Sequence, residues 1–219
     1  MKFGKEKLKN IWFFYKKQII VGAVLFAMGV FLLVQCATRT TYDINVYYAG
    51  DKYLTSDAQR AAGEAFAAVI KEEHAKTVGF ITTVIGDKIS VAGTEEEHQQ
   101  YAMDYTGQKE TMSDFNTRMI MPDTVICLLS PTCFAQASEN TKTLRKLDEI
   151  LDVLPEGTTE NGYGVKLSSL PFYATNSILK AFPEGTVLCV KAPSFARSSD
   201  DYERQIAAFL DIVNYRRAE

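Results

Sequence analysis

Residues 123–129 read DTVICLL and run straight into Ser130 and Pro131. An apolar run without polar alternation marks a strand covered on both faces, as in the middle of a parallel sheet. Ser130 is a good helix cap, and Pro131 suits the first helical position, where no N–H is needed. Strand passing directly into helix is the unit of an α/β fold.

Working outward, residues 42–48 (YDINVYY) alternate and are rich in β-formers, which predicts a first strand and a turn at Ala49, Gly50 and Asp51. Ser56, with Gln59 three residues on, predicts a helix whose apolar stripe is Ala58, Ala61, Ala62, Ala65, Phe66, Val69 and Ile70. Residues 77–85 (TVGFITTVI) read as a strand, with Gly86 and Asp87 as a two-residue hairpin turn into 88–91. Thr94 and Glu97 form a capping box for a helix carrying His98, Tyr101, Ala102 and Tyr105, and a shorter helix follows over 113–120.

Downstream, a helix from Ser130 is succeeded by a second one on Leu144, Leu147, Leu151 and Leu154, stopped by Pro155. Residues 158–164 are a loop, 164–167 a short strand, and 186–191 (TVLCVK) another buried strand. Ser198 or Ser199 caps a last helix. Asp200 and Asp201 lie in its first turn, and Arg216 and Arg217 in its last, the order that suits the helix dipole. The alternation predicts one three-layer α/β domain with a mainly parallel, mixed sheet and helices on both faces.

Before this domain comes IIVGAVLFAMGVFLLVQCA, residues 19–37, polar only at Gln35 near its end. As a helix it is roughly 29 Å long, about one hydrocarbon core, and it predicts a single transmembrane helix. The expected organisation is a cytoplasmic basic and aromatic segment over 1–18, the span over 19–37, a linker over 38–41 and an extracytoplasmic domain over 42–219. Leu8, Ile11, Trp12, Tyr15 and Ile19 recur at helical spacing among lysines, which fits an interfacial helix or a plain extension of the span. Before Thr41, seven Lys or Arg face Glu6 alone, a charge of +6 that leaves −9 on the remainder of a chain with net charge −3. Positive residues stay inside, so the domain is expected outside, anchored in the cell membrane. Cys36, preceded by Leu33, Val34 and Gln35, offers the alternative of a lipoprotein anchor. Gly22, Gly29, Ala23 and Ala27 give the span small faces for a partner helix. An acidic domain lacks the cations that bind phosphate chains, so nucleic acid is excluded as a partner.

Cys127 and Cys189 lie in runs that read as buried strands, either as small core residues or, in an oxidising compartment, as a disulfide pair. His74 and His98 sit among glutamates on what read as solvated helix faces. No zinc spacing, P-loop, nucleophile elbow or dinucleotide fingerprint occurs, so no cofactor or metal is expected. A ligand of an open sheet binds beyond the carboxyl ends of the strands, which here would gather Tyr48, Gly50, Asp51, Ser130, Thr132 and Ser194. Tyr47 and Tyr48 otherwise read as strand surface.

The motifs WFFYKK (12–17), YDINVYYAG (42–50), DTVICLLSP (123–131) and LPFY (170–173) resemble a loosely defined set of uncharacterised single-pass bacterial membrane proteins. Their outer domain is similar to one lobe of a type II periplasmic solute-binding protein. The resemblance implies a fold more than an activity, and a single lobe in place of two. The expected function is a membrane-anchored binding or interaction module without catalytic activity, an accessory of a membrane or envelope complex. Its partners would be the lipid bilayer and a membrane protein. The alternatives are a receptor for a small molecule at the strand ends, or an enzyme.

Overall fold

The computed structural model describes residues 5–38, 41–86, 88–92, 101–102, 105–140, 142–194 and 197–215. Contacts divide the chain into two units, 1–41 and 42–219. The first unit holds helix α1, Lys5–Thr38. Among its described side chains Phe13, Phe14, Leu25 and Phe26 are all more than 60% exposed. Among the described residues no single helix is long and apolar enough to cross a membrane. Two helical pieces of α1, Trp12–Gln18 and Ile20–Phe31, meet at a 41° bend and together have the length and composition for it.

The second unit runs β1 (Ile44–Gly50), β2 (Lys52–Leu54), α2 (Ser56–Ala67), β3 (Val78–Val84), β4 (Lys88–Ala92), β5 (Tyr101–Ala102) and α3 (Tyr105–Ile120). It continues with β6 (Ile126–Leu129), α4 (Pro131–Glu139), β7 (Gly164–Lys166), α5 (Pro171–Thr175), β8 (Val187–Val190) and α6 (Ser199–Val213). Five strands form a mixed sheet in the order β3-β1-β6-β8-β7. The pairs β3/β1 and β1/β6 are parallel, and β8 is antiparallel to both its neighbours.

The pleat sorts the core into two halves. Ile44, Val46, Tyr48, Ile126, Leu128, Leu188 and Val190 pack with Phe66, Phe172 and Phe209 of α2, α5 and α6. Tyr47, Ala49, Cys127, Leu129, Val187 and Cys189 pack with Phe115 of α3 and Phe134 of α4. Helices thus cover both faces, and β6, the core of the unbroken apolar run, is buried throughout. So is β1 from Val46 to Gly50, which corrects the reading of Tyr47 and Tyr48 as strand surface. Each phenol belongs to a different half-core, because a strand between two helix layers has no wet face.

Several local expectations fail for identifiable reasons. The 77–91 hairpin does not form: β4 pairs in parallel with β2 in a separate small sheet, β2-β4-β5. Tyr101 and Ala102 are strand, paired with β4, and α3 begins only at Tyr105. Thr94, Glu97 and His98 lie outside the described residues. Helix α2 is capped by Thr55, whose hydroxyl accepts from Ala58 N at 3.3 Å, one residue before Ser56. It ends at Ala67, so Val69 and Ile70 follow the helix.

The leucine-spaced stretch after α4 is no α-helix. Leu144 bridges to Lys191, Arg145 N donates to Val190 O at 2.9 Å, and only 147–149 make a 3₁₀ turn. Here hydrogen bonds to the neighbouring β8 outcompete helical propensity. Ser130 and Ser198 cap α4 and α6 as expected. Arg216 and Arg217 lie outside the described residues.

Candidate functional site

Among the described residues a groove of about 550 Å³ lies where α2 crosses the start of β3, walled by Gln59, Arg60 and Glu64 and floored by Val78, Gly79 and Phe80. Two glycines make it possible. A Cβ on Gly63 would stand 2.3 Å from the Val78 carbonyl oxygen, so only glycine lets α2 settle this close to the strand. A Cβ on Gly79 would strike the Tyr42 ring, which also lines the groove while remaining 46% exposed.

The rim is held by Asp43. Its carboxylate accepts from Lys76 N at 2.9 Å, Thr77 N at 3.0 Å and the Thr77 hydroxyl at 3.1 Å. Those backbone N–H groups stabilise the ionised form and hold this carboxyl below its ordinary value. On the helix wall Arg60 pairs with Asp57 at 3.0 Å, an exposed contact of little energetic weight.

The groove opens onto a sheet edge. Ile44 N donates to Thr77 O, and Ile85 N donates to Gly50 O. That register directs the odd-numbered backbone groups of β3 toward β1 and turns those of Phe80, Thr82 and Val84 away. Among the described residues none hydrogen-bonds to those outward groups. The strand, VGFITTV, contains neither proline nor lysine, the usual means of blunting an edge. The other edge strand, β7, is flanked by a bridge from Thr158 to Val165.

The strand-end candidates do not form one site. Tyr48, Gly50, Asp51, Ser130 and Thr132 stand together at the carboxyl ends of β1 and β6. Ser194 follows β8, whose antiparallel run carries it to the opposite end of the sheet. There it lines a separate hollow of about 450 Å³ with Arg145, Arg197 and Tyr202. The two arginines of that hollow are already paired, Arg197 with Asp201 at 2.7 Å and Arg145 with Glu149 at 3.4 Å. Ser130 N donates to Ala49 O at 2.8 Å, and its hydroxyl accepts from Cys133 N at 3.4 Å, so its hydroxyl serves the helix cap. Asp51 and Thr132 are exposed.

Tyr48 is buried, its ring lying against Gly50 and Phe182. Among the described residues neither its hydroxyl nor that of Tyr47 meets a partner in good hydrogen-bond geometry, and burial pushes both phenols far above their ordinary value. An unsatisfied buried hydroxyl costs about 1–3 kcal/mol. Tyr48→Phe is therefore expected to raise stability by about 1 kcal/mol in urea unfolding. A loss instead would mean that the Lys52 backbone beside the phenol is its partner.

His74 is not on a solvated helix face. It lies beyond the end of α2, half-buried, with Nδ1 on the Asp211 carboxylate of α6, which also accepts from Lys71 N at 3.0 Å. The arrangement staples the segment after α2 to the last helix. Among the described residues no group of three His, Cys, Asp or Glu is placed to hold a metal.

Sequence reasoning missed the groove, although a lone glycine amid the alanines of α2 and another inside a strand pattern were its available signals. No protein-family model, curated protein or solved structure matches the chain.

Proposed function

We propose that the chain is a membrane-anchored extracytoplasmic binding module, without catalytic activity, that takes an extended polypeptide segment of a membrane or envelope complex along the edge of β3. The observation that carries this reading is the run of outward backbone groups at Phe80, Thr82 and Val84 beside the α2 groove. A strand added there gains main-chain hydrogen bonds for affinity, and the groove receives its side chains for selection. The apolar surface of α1 and the +6 charge before Thr41 support anchorage in a bilayer with the domain outside. A small-molecule receptor is the second reading, favoured by a groove volume of about 550 Å³, within the range of ligand pockets.

The experiment places a photo-crosslinking residue at exposed Lys76 in the full chain in its native membrane, with and without Thr82→Pro. Thr82 N–H faces away from β1, so proline there spares the sheet but blocks an added strand. The expected result is a discrete protein adduct that disappears with the proline, while the melting temperature moves by only a few degrees. Adducts that ignore the proline remove strand addition. No adduct at all removes the interaction reading.

A further inference from the structure

β6 and β8 are antiparallel, and their register sets Cys127 directly opposite Cys189. Lys191 N donates to Val125 O at 2.9 Å, so the pair two residues further in falls at the same kind of hydrogen-bonded position. Such pairs have Cα atoms about 5.5 Å apart, within the commonest range for cystines. Both thiols are free, fully buried and in the same half-core.

We propose that Cys127 and Cys189 are a disulfide-forming pair, closed by exchange with a small-molecule or protein disulfide when the domain folds in an oxidising compartment. The thiolate of one cysteine attacks a sulfur of the incoming disulfide, breaking its S–S bond and releasing one thiolate. The second cysteine, deprotonated, attacks the mixed disulfide and releases the other. Two thiols of the chain are oxidised, and two electrons and two protons leave with the oxidant as two thiols.

Since neither sulfur is exposed in the folded domain, exchange precedes the docking of β8 on β6 or follows its opening. The bond encloses the chain between the two strands, including α4, β7 and α5, and removes the freedom of that long loop from the unfolded state.

The full chain in detergent is unfolded, then refolded either with reductant or in a reduced and oxidised glutathione mixture, and its free thiols are alkylated under denaturing conditions before peptide mapping. The expected result in the glutathione sample is one linked peptide pair carrying Cys127 and Cys189, with Cys36 and Cys133 alkylated. Its folding equilibrium constant in urea should be roughly a hundredfold higher than in the reduced sample, a gain absent from Cys127→Ala. Should that variant fail to fold, the wild-type peptide map alone decides. Alkylated Cys127 and Cys189 in the glutathione sample, or a link through Cys133 or Cys36, overturns the proposal. The outcome depends on strand register alone and leaves the orientation of the anchor to the crosslinking experiment.

Discussion

Lys191→Met is expected to destabilise the domain by about 3 kcal/mol, measured by urea unfolding at neutral pH. Lys191 is 3% exposed, and its ammonium donates to Arg118 O at 2.9 Å and Met121 O at 2.7 Å. These carbonyls belong to the end of α3, where a helix leaves acceptors without intrahelical partners and where its dipole favours a cation. Methionine keeps the length and the apolar stem but returns no donor, so two acceptors beside the end of β8 lose their partner.

The pH dependence supplies a second signature. Burial lowers the Lys191 pKa below its ordinary value, against opposing contributions from Cys127 and Asp123. Between the lowered folded value and the higher unfolded one, the unfolded chain binds more protons. This residue's contribution to stability therefore rises as pH rises through that window. Lys191→Met should flatten that part of the profile. An unchanged urea midpoint would mean that the α3 carbonyls find water, and that the lysine is no cap.

Phe66→Ala is expected to cost about 4 kcal/mol. Phe66 is wholly buried on α2, with its ring 4.9 Å from that of Phe172 and 5.7 Å from that of Phe80, both edge-on. Its removal opens a cavity at the joint between α2, β3 and α5, which the Gly63 contact with Val78 O keeps from collapsing freely. Because Phe80 also lines the groove, the same change should weaken the Lys76 adduct even at a temperature where the domain stays folded. Phe66→Leu, which fills most of the space, should cost about 1 kcal/mol and preserve the adduct. A milder alanine effect, under about 1 kcal/mol, would mean that the aromatic cluster repacks and does not position the groove.

Legibility in the sequence differed by element. The 123–131 stretch could be read correctly because three signals agree there: an unbroken apolar run, a capping serine and a proline at the first helical position. The final helix was equally clear from its capping serine and the two aspartates of its first turn. The 144–154 leucines misled, since their spacing suits a helix while the backbone beside them is committed to β8. The 77–91 turn misled because Gly86-Asp87 has hairpin chemistry, yet β4 finds its partner in β2.

The sequence by itself determined the α/β class, the central buried strand, the caps of α4 and α6 and the division of charge along the chain, because apolar periodicity, cap chemistry and formal charge are local properties. Only the tertiary structure decided that β8 runs against β6, which sends Ser194 away from Ser130 and sets Cys127 opposite Cys189. It likewise decided that β3 is an edge whose backbone faces outward beside a groove. Strand direction and neighbour order depend on pairings between residues far apart in the chain. A strand's own residues state that it will be buried without stating which strand will cover its hydrogen bonds.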